Sequence, residues 1–279
     1  MKRRQRRQFV SGLVLLLVGA GGEVFSQTET PLGGEKLAVE WVKVAAPEGG
    51  NLLAAVARPQ GAGPFPAVIL LHGTHGFARQ YVQLALDLAR GGFVAVAACW
   101  FSPGAGPGLR FVTPIACPDA PAMPNASDAA TLQRIDALVQ AVGRLPGVRA
   151  DRIGLFGHSR GAGAALNYAL RRADRVQAVV LNSGGYPDEI IARAPEVKAP
   201  MLILHGAADG PADGGSPVTD VQMAHRFEAA LRRAGRPVEA RYYDGAGHNG
   251  IFTSASQFDD EVKRIVAFLR HHLSSRTST

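Results

Sequence analysis

The stretch Ile153-Gly154-Leu155-Phe156-Gly157-His158-Ser159-Arg160-Gly161, followed by Ala162-Gly163-Ala164-Ala165-Leu166, joins two kinds of segment across one sharp turn. Before the turn, a short apolar run has the length and composition of a strand buried on both faces. After it, small and apolar residues continue as a helix expected over 162–172. A serine at the junction, with glycine two residues away on either side, fits Gly-x-Ser-x-Gly in the strand-turn-helix context that gives the motif meaning. The glycines leave room for a tight turn, and the helix N-terminus favours negative charge beside the hydroxyl. A plain capped turn would use the same residues, so the remainder of the chain has to decide between the two readings.

A serine hydroxyl is a weak nucleophile at neutral pH and needs a base, itself oriented by a carboxylate. Downstream, Leu204-His205-Gly206-Ala207-Ala208-Asp209 sets an acid just past an apolar strand, and Tyr243-Asp244-Gly245-Ala246-Gly247-His248 sets a histidine just past the last one. Asp213 and Asp244 are rival acids, but Asp209 lies closest to its strand end and is the expected partner. The order Ser159, Asp209, His248 is that of α/β-hydrolases, and differs from the orders on chymotrypsin and subtilisin folds. Leu71-His72-Gly73-Thr74-His75-Gly76, after an earlier strand, has the form of an oxyanion loop. The expected donors are the backbone N–H groups of Thr74 and Arg160.

Working outward, apolar strands alternate with helical segments along the chain. An edge hairpin is expected from 37–45 and 51–58, joined at Pro47-Glu48-Gly49-Gly50. Further strands are expected at 67–71, 93–98, 152–156, 176–181, 201–204 and 238–243, with helices at 80–90, 128–145, 162–172, 219–234 and 257–272. Such alternation predicts an α/β fold: a mainly parallel central sheet of about eight strands, with helices on both faces and ligands bound beyond the strand C-termini. Residues 37–279 read as a single domain, after a short polar segment at 27–36.

Residues 1–26 have the pattern of a signal peptide. Lys2, Arg3, Arg4, Arg6 and Arg7 precede the apolar run Gly12 to Ala20, and small residues lead to a cleavage site expected before Gln27, with Ala20 and Gly22 offering a competing site. Arg6-Arg7-Gln8-Phe9-Val10 also resembles a twin-arginine motif. The apolar run is about half the roughly 20 residues of a membrane span, so no stable anchor is expected after processing. An exported protein, periplasmic or secreted, is the expectation. The net charge is +7, but these residues hold five Lys/Arg and one Glu, and their removal leaves +3. With no dense basic patch in the body, nucleic acid is not an expected partner. Cys99 and Cys117 lack the spacing of a zinc or redox pair and, in an exported chain, form a candidate disulfide. No metal-ligand spacing appears either, so neither metal nor cofactor is expected.

Aromatic residues in loops after strands are the remaining guide to a substrate pocket. Trp100 and Phe101, with the Pro/Gly-rich stretch to Ser127, are expected on one wall; Tyr186, within the insert 184–199, and Phe252 on others; and His75 close to substrate. There is no room for a large helical lid.

Over residues 37–272 the chain resembles the α/β hydrolases and, more narrowly, the dienelactone-hydrolase-like group. Its elbow, acid loop and histidine loop carry the resemblance. Characterised dienelactone hydrolases use a cysteine nucleophile, where this chain has Ser159, and the difference favours more general ester chemistry. The residues and the resemblance together lead to an expected serine esterase acting on a small-molecule carboxylic ester through an acyl-enzyme. An acyltransferase or small peptidase with the same three residues, and a catalytically inactive binding protein on the same fold, are the alternatives.

Overall fold

The computed structural model describes residues 16–18, 22–25, 39–102, 111–125, 128–213 and 215–274. Two short strands, β1 (Leu16–Val18) and β2 (Gly22–Phe25), extend one edge of its sheet. The body of the sheet is built from β3 (Val39–Ala45), β4 (Asn51–Ala57), β5 (Phe65–Leu71), β6 (Val94–Ala98), β7 (Val148–His158), β8 (Ala178–Asn182), β9 (Met201–Gly206) and β10 (Val238–Tyr243). The remainder of the expected leader lies outside the described residues, and the eight strands from Val39 onward are those of the expected body.

The spatial order is β1-β2-β3-β4-β6-β5-β7-β8-β9-β10. β3 and β4 form the expected antiparallel hairpin, and β4 lies antiparallel to β6. From β6 to β10 every neighbouring pair is parallel. Parallel pairing requires crossovers, which coat both faces with helices and explain why the central strands lack polar alternation. In β5, Ala67, Ile69 and Leu71 join the core beneath α2 (Ala129–Gly143), α3 (Arg160–Arg171) and α5 (Val221–Arg233). Val68 and Leu70 point the other way, into the core beneath α1 (Arg79–Arg90) and α7 (Ala255–Leu273). One strand therefore serves two cores because successive side chains alternate between faces.

Local chemistry sets several helix starts. Asp128 accepts from Thr131 N–H to cap α2, and Ser254 accepts from Gln257 N–H to cap α7. Between β8 and β9 run a single-turn helix α4 (Asp188–Ile191) and a 3₁₀ turn at Ala194–Glu196, and another short helix, α6 (Gly250–Thr253), precedes α7.

One strand is longer than its composition predicts. β7 starts at Val148 and runs through Gly157 and His158 instead of ending at Phe156, because both neighbours hold it: Gly157 pairs with Leu71 and Leu181, and His158 with Asn182. Ser159 is thereby the first residue to leave the sheet. Among the described residues, no helix is long and apolar enough to cross a membrane.

Candidate active site

Ser159 turns the chain from β7 into α3 with φ 53° and ψ −117°, a left-handed conformation that costs a non-glycine residue on the order of 1–3 kcal/mol. Its neighbours must be small for the turn to close. A Cβ on Gly157 would sit 2.2 Å from the Gly161 carbonyl oxygen, and one on Gly161 would sit 2.1 Å from that of Leu71. Ser159 N–H donates to the Asn182 carbonyl (2.9 Å), and the Ser159 carbonyl accepts from Ala162 and Gly163 N–H at the start of α3.

The structure brings the three expected residues together. Ser159 Oγ lies 2.9 Å from His248 Nε2, and His248 Nδ1 lies 2.8 Å from Asp209 Oδ2. Asp209 is 2% exposed at the β9 exit. Burial would raise its carboxyl pKa, but hydrogen bonds from His205 and His248 outweigh burial and hold it below the ordinary carboxylate range. The Asp213 carboxylate instead accepts from His248 backbone N–H at 2.9 Å. Gly247 leaves the space that this carboxylate occupies. Asp244 is exposed.

The 71–76 loop is braced from beneath. Tyr81 on α1 accepts from Gly73 N–H (3.0 Å) through its hydroxyl, which also meets His75 Nε2 at 2.9 Å. Trp100 Nε1 donates to the His72 carbonyl (3.0 Å). His72 is fully buried, and burial lowers its pKa to about 3. Thr74 and Arg160, the expected oxyanion residues, flank the same cleft as Ser159. The Arg160 guanidinium donates to the Pro124 carbonyl (2.8 Å) and reaches Thr74 Oγ1 (3.4 Å), so it ties the 111–125 loop to the serine turn.

This cleft has a volume of about 580 Å³. One side comes from the insert after β8, through Pro187, Glu189, Ile190 and Arg193, and another from α3 through Asn167 and Arg171. The expected aromatic walls are corrected. Trp100 and Phe101 are fully buried in the core, and Tyr186 is buried with its ring stacked on Phe227 at 4.8 Å. These large aromatic side chains gain more from full burial in the core than from a place on an open cleft wall, so they turn inward. His75 and Phe252 are also outside the cleft lining; their rings pack on His158 at 5.5 and 4.9 Å, beside the serine turn. Burial, with the nearby His248, lowers the His75 pKa to about 4.

Cys99 and Cys117 are disulfide-bonded, and this bond pins the segment between β6 and α2. The same segment is gripped by Arg134, 4% exposed on α2, which donates to the carbonyls of Trp100 (3.2 Å) and Ala122 (2.9 Å) and pairs with Glu48. Sequence reasoning does not single out Tyr81, Arg134, His205, Asn182 or Glu261 as supports of the site. Their partners lie up to 86 positions away, as for Arg134 and Glu48. Only a Tyr in an apolar helix face and an acid in an apolar helix stripe hint at such contacts. Among the described residues, no group of His, Cys, Asp and Glu has the arrangement of a metal site.

A mainly parallel sheet with serine, histidine and aspartate in contact at its strand exits is the arrangement of the α/β-hydrolase class. More narrowly, residues 52–270 match the dienelactone hydrolase family, and the chain belongs to it. A Bradyrhizobium protein described as "Probable 2-oxo-3-(5-oxofuran-2-ylidene)propanoate lactonase" is 30% identical over 263 residues, covering 87% of this chain and 98% of that protein. An esterase structure from Pyrococcus furiosus is similar with a TM-score of 0.65 at 15% identity, over 85% of this chain and 94% of the other. A dienelactone hydrolase structure from Anabaena variabilis has a TM-score of 0.62 at 22% identity, over 84% and 98%. Both structural likenesses bear on the fold.

Proposed function

We propose that this hydrolase cleaves carboxylic esters, cyclic esters included, through a covalent acyl-enzyme on Ser159. The observation that carries the reading is the continuous contact from Ser159 Oγ through the His248 ring to Asp209. His248 Nε2 takes the hydroxyl proton as Oγ attacks the ester carbonyl carbon, and Asp209 keeps Nδ1–H directed away from the serine. The carbonyl oxygen gains the negative charge and is met by the N–H groups of Thr74 and Arg160. Collapse breaks the bond to the alkoxy oxygen, which leaves with the proton from His248. Water then attacks the acyl carbon, giving its proton to His248, and the acid is released as Oγ is reprotonated.

The lactonase named among the relatives supports including cyclic esters. In that case the leaving alcohol stays tethered to the acyl group until water frees both. The lining of the cleft mixes polar side chains (Asn167, Arg171, Arg193) with apolar ones (Pro187, Ile190, Val218), which suits a small substrate carrying both kinds of group. The disulfide is compatible with export to an oxidising compartment.

The test is to incubate the purified protein with a fluorophosphonate probe and with a panel of aryl esters and five-membered lactones, beside Ser159→Ala. Labelling and turnover in the wild type that vanish in the variant are expected. A folded wild type that neither labels nor turns over, or a variant as active as the wild type, would overturn the assignment.

A further inference from the structure

Beneath the serine turn lies a buried polar chain that the proposed chemistry does not use. Glu261 on α7 is fully buried, with its carboxyl between Asn182 Nδ2 (2.6 Å) and the Gln257 amide (2.7 Å). Asn182, 2% exposed at the end of β8, meets the serine turn twice. Its backbone carbonyl accepts from Ser159 N–H at 2.9 Å, and its side-chain Oδ1 lies 2.6 Å from His158 Nδ1. Nε2 of His158 lies 3.3 Å from Oδ1 of Asn249, one residue beyond His248.

The donors and acceptors along this chain can be assigned. Asn182 commits its amide nitrogen to Glu261, so its oxygen accepts and His158 carries the proton on Nδ1. Burial, reinforced by the nearby His75 and His248, holds the His158 pKa well below its ordinary value, so Nε2 is an acceptor. A neutral ring with an accepting Nε2 is served once the Asn249 amide, whose Oδ1 stands nearest, is turned to present its nitrogen. At the other end, burial pushes the Glu261 carboxyl up to about 8. The protonated acid needs one acceptor, which Gln257 provides by turning its amide; the ionised acid is served by the amide nitrogens of both neighbours. Gly250 leaves the space this amide occupies, since a Cβ there would lie 2.5 Å from it.

We propose that Glu261 is a positioning residue for the nucleophile turn: it holds Asn182, which holds Ser159 N–H and the His158 ring, and His158 holds Asn249 beside His248. The inference rests on Ser159 being the nucleophile. A strained turn relaxes when its anchors are lost, and Oγ then leaves the position that faces His248. Apolar packing around Glu261 would stabilise α7 equally well but would leave Asn182 free to rotate.

The experiment compares Glu261→Gln, Glu261→Leu and Asn182→Ala with the wild type, reading kcat and KM on an aryl ester, the rate of fluorophosphonate labelling, and Tm. Glu261→Leu and Asn182→Ala are expected to lose about tenfold or more in kcat and in labelling rate, with KM within about twofold. Glu261→Gln, which retains an oxygen for Asn182 and an amide for Gln257, is expected to recover most of the loss. Combining Glu261→Leu with Asn182→Ala should cost no more than Asn182→Ala alone, since the two act as one unit. Wild-type kcat and labelling in a folded Glu261→Leu would overturn the proposal. If that variant does not fold, wild-type values in Asn182→Ala would overturn it equally. Loss of labelling in the wild type itself would instead strike at the assignment of Ser159.

Discussion

His205 Nε2 lies 3.1 Å from Asp209 Oδ2, the same oxygen that accepts from His248 Nδ1 at 2.8 Å. The His205 nitrogen is also 2.8 Å from the Thr219 carbonyl, which can only accept, so Nε2 carries its proton and is shared between the two oxygens. His205 thus touches Asp209 and, through it, bears on the orientation of the His248 ring.

Replacing His205 with Phe removes that donor while filling the buried site. The Asp209 carboxyl then loses one of the two bonds that hold its pKa down, and it can rotate away from His248. The expected outcome is a fall in kcat of about tenfold with KM nearly unchanged, partly restored in His205→Gln. Steady-state kinetics on an aryl ester, with circular dichroism to check folding, tests this. Unchanged kcat in the Phe variant would sink it.

The two acids of the 209–213 loop should separate cleanly by substitution. Asp209→Asn leaves the ring without its orienting carboxylate and is expected to lower kcat by roughly 10³–10⁴, as in other triads. Asp213→Asn weakens only a bond to the His248 backbone N–H, worth about 1 kcal/mol, so less than tenfold is expected. Equal losses in the two variants would show that the loop, and not one carboxylate, orients the base.

The disulfide closes a loop with a sequence separation of 18. A crosslink of that span stabilises by about 3 kcal/mol through the unfolded chain. Cys99→Ser combined with Cys117→Ser should therefore unfold at lower urea, with the loss seen as a lower midpoint at an unchanged slope. Because Pro124 on the same segment holds Arg160, KM is also expected to rise. An unchanged midpoint would mean that Arg134 alone suffices to hold the segment.

Two opposite pH trends are built into the core. His72, His75 and His158 have pKa values lowered by burial, so the unfolded chain binds protons that the folded one refuses. Their contribution is complete above about pH 6.5 and drains as pH falls through that value toward about 4 and about 3. Glu261, raised to about 8, works in the other direction: its contribution is complete below 4.5 and is lost as pH climbs to about 8. The wild type should therefore lose unfolding free energy relative to Glu261→Gln across that window, by at most about 1.4 kcal/mol per pH unit. Urea unfolding of both proteins at several pH values measures the difference. A constant difference from pH 4.5 to 8 would refute the buried acid's part in it.

Much of this molecule is legible in its sequence because the signals are local. Buried strands announce themselves as short apolar runs, and the hairpin at Gly49-Gly50 shows in its turn residues. The elbow shows in Gly157 and Gly161, because only glycine tolerates carbonyl oxygens 2.2 and 2.1 Å from where a Cβ would stand. Pocket walls are another matter. Trp100, Phe101 and Tyr186 follow strand ends, as pocket residues do, yet they turn into the core. The cleft instead uses Asn167 and Arg171 of α3 with Ile190 and Arg193 of the insert, whose direction depends on how those helices dock.

From its sequence alone, this protein is a parallel-sheet α/β chain with a serine turn, an acid loop and a histidine loop at successive strand exits, because periodicity and steric exclusion act within a few residues. Tertiary structure decided which of two nearby carboxylates meets the His248 ring, that Trp100, Phe101 and Tyr186 turn into the core instead of lining the cleft, and that Glu261 on the last helix reaches Asn182 beneath Ser159. Those outcomes depend on angstrom-scale distances between segments as far apart as 79 positions, and such distances are set only when the helices pack onto the sheet.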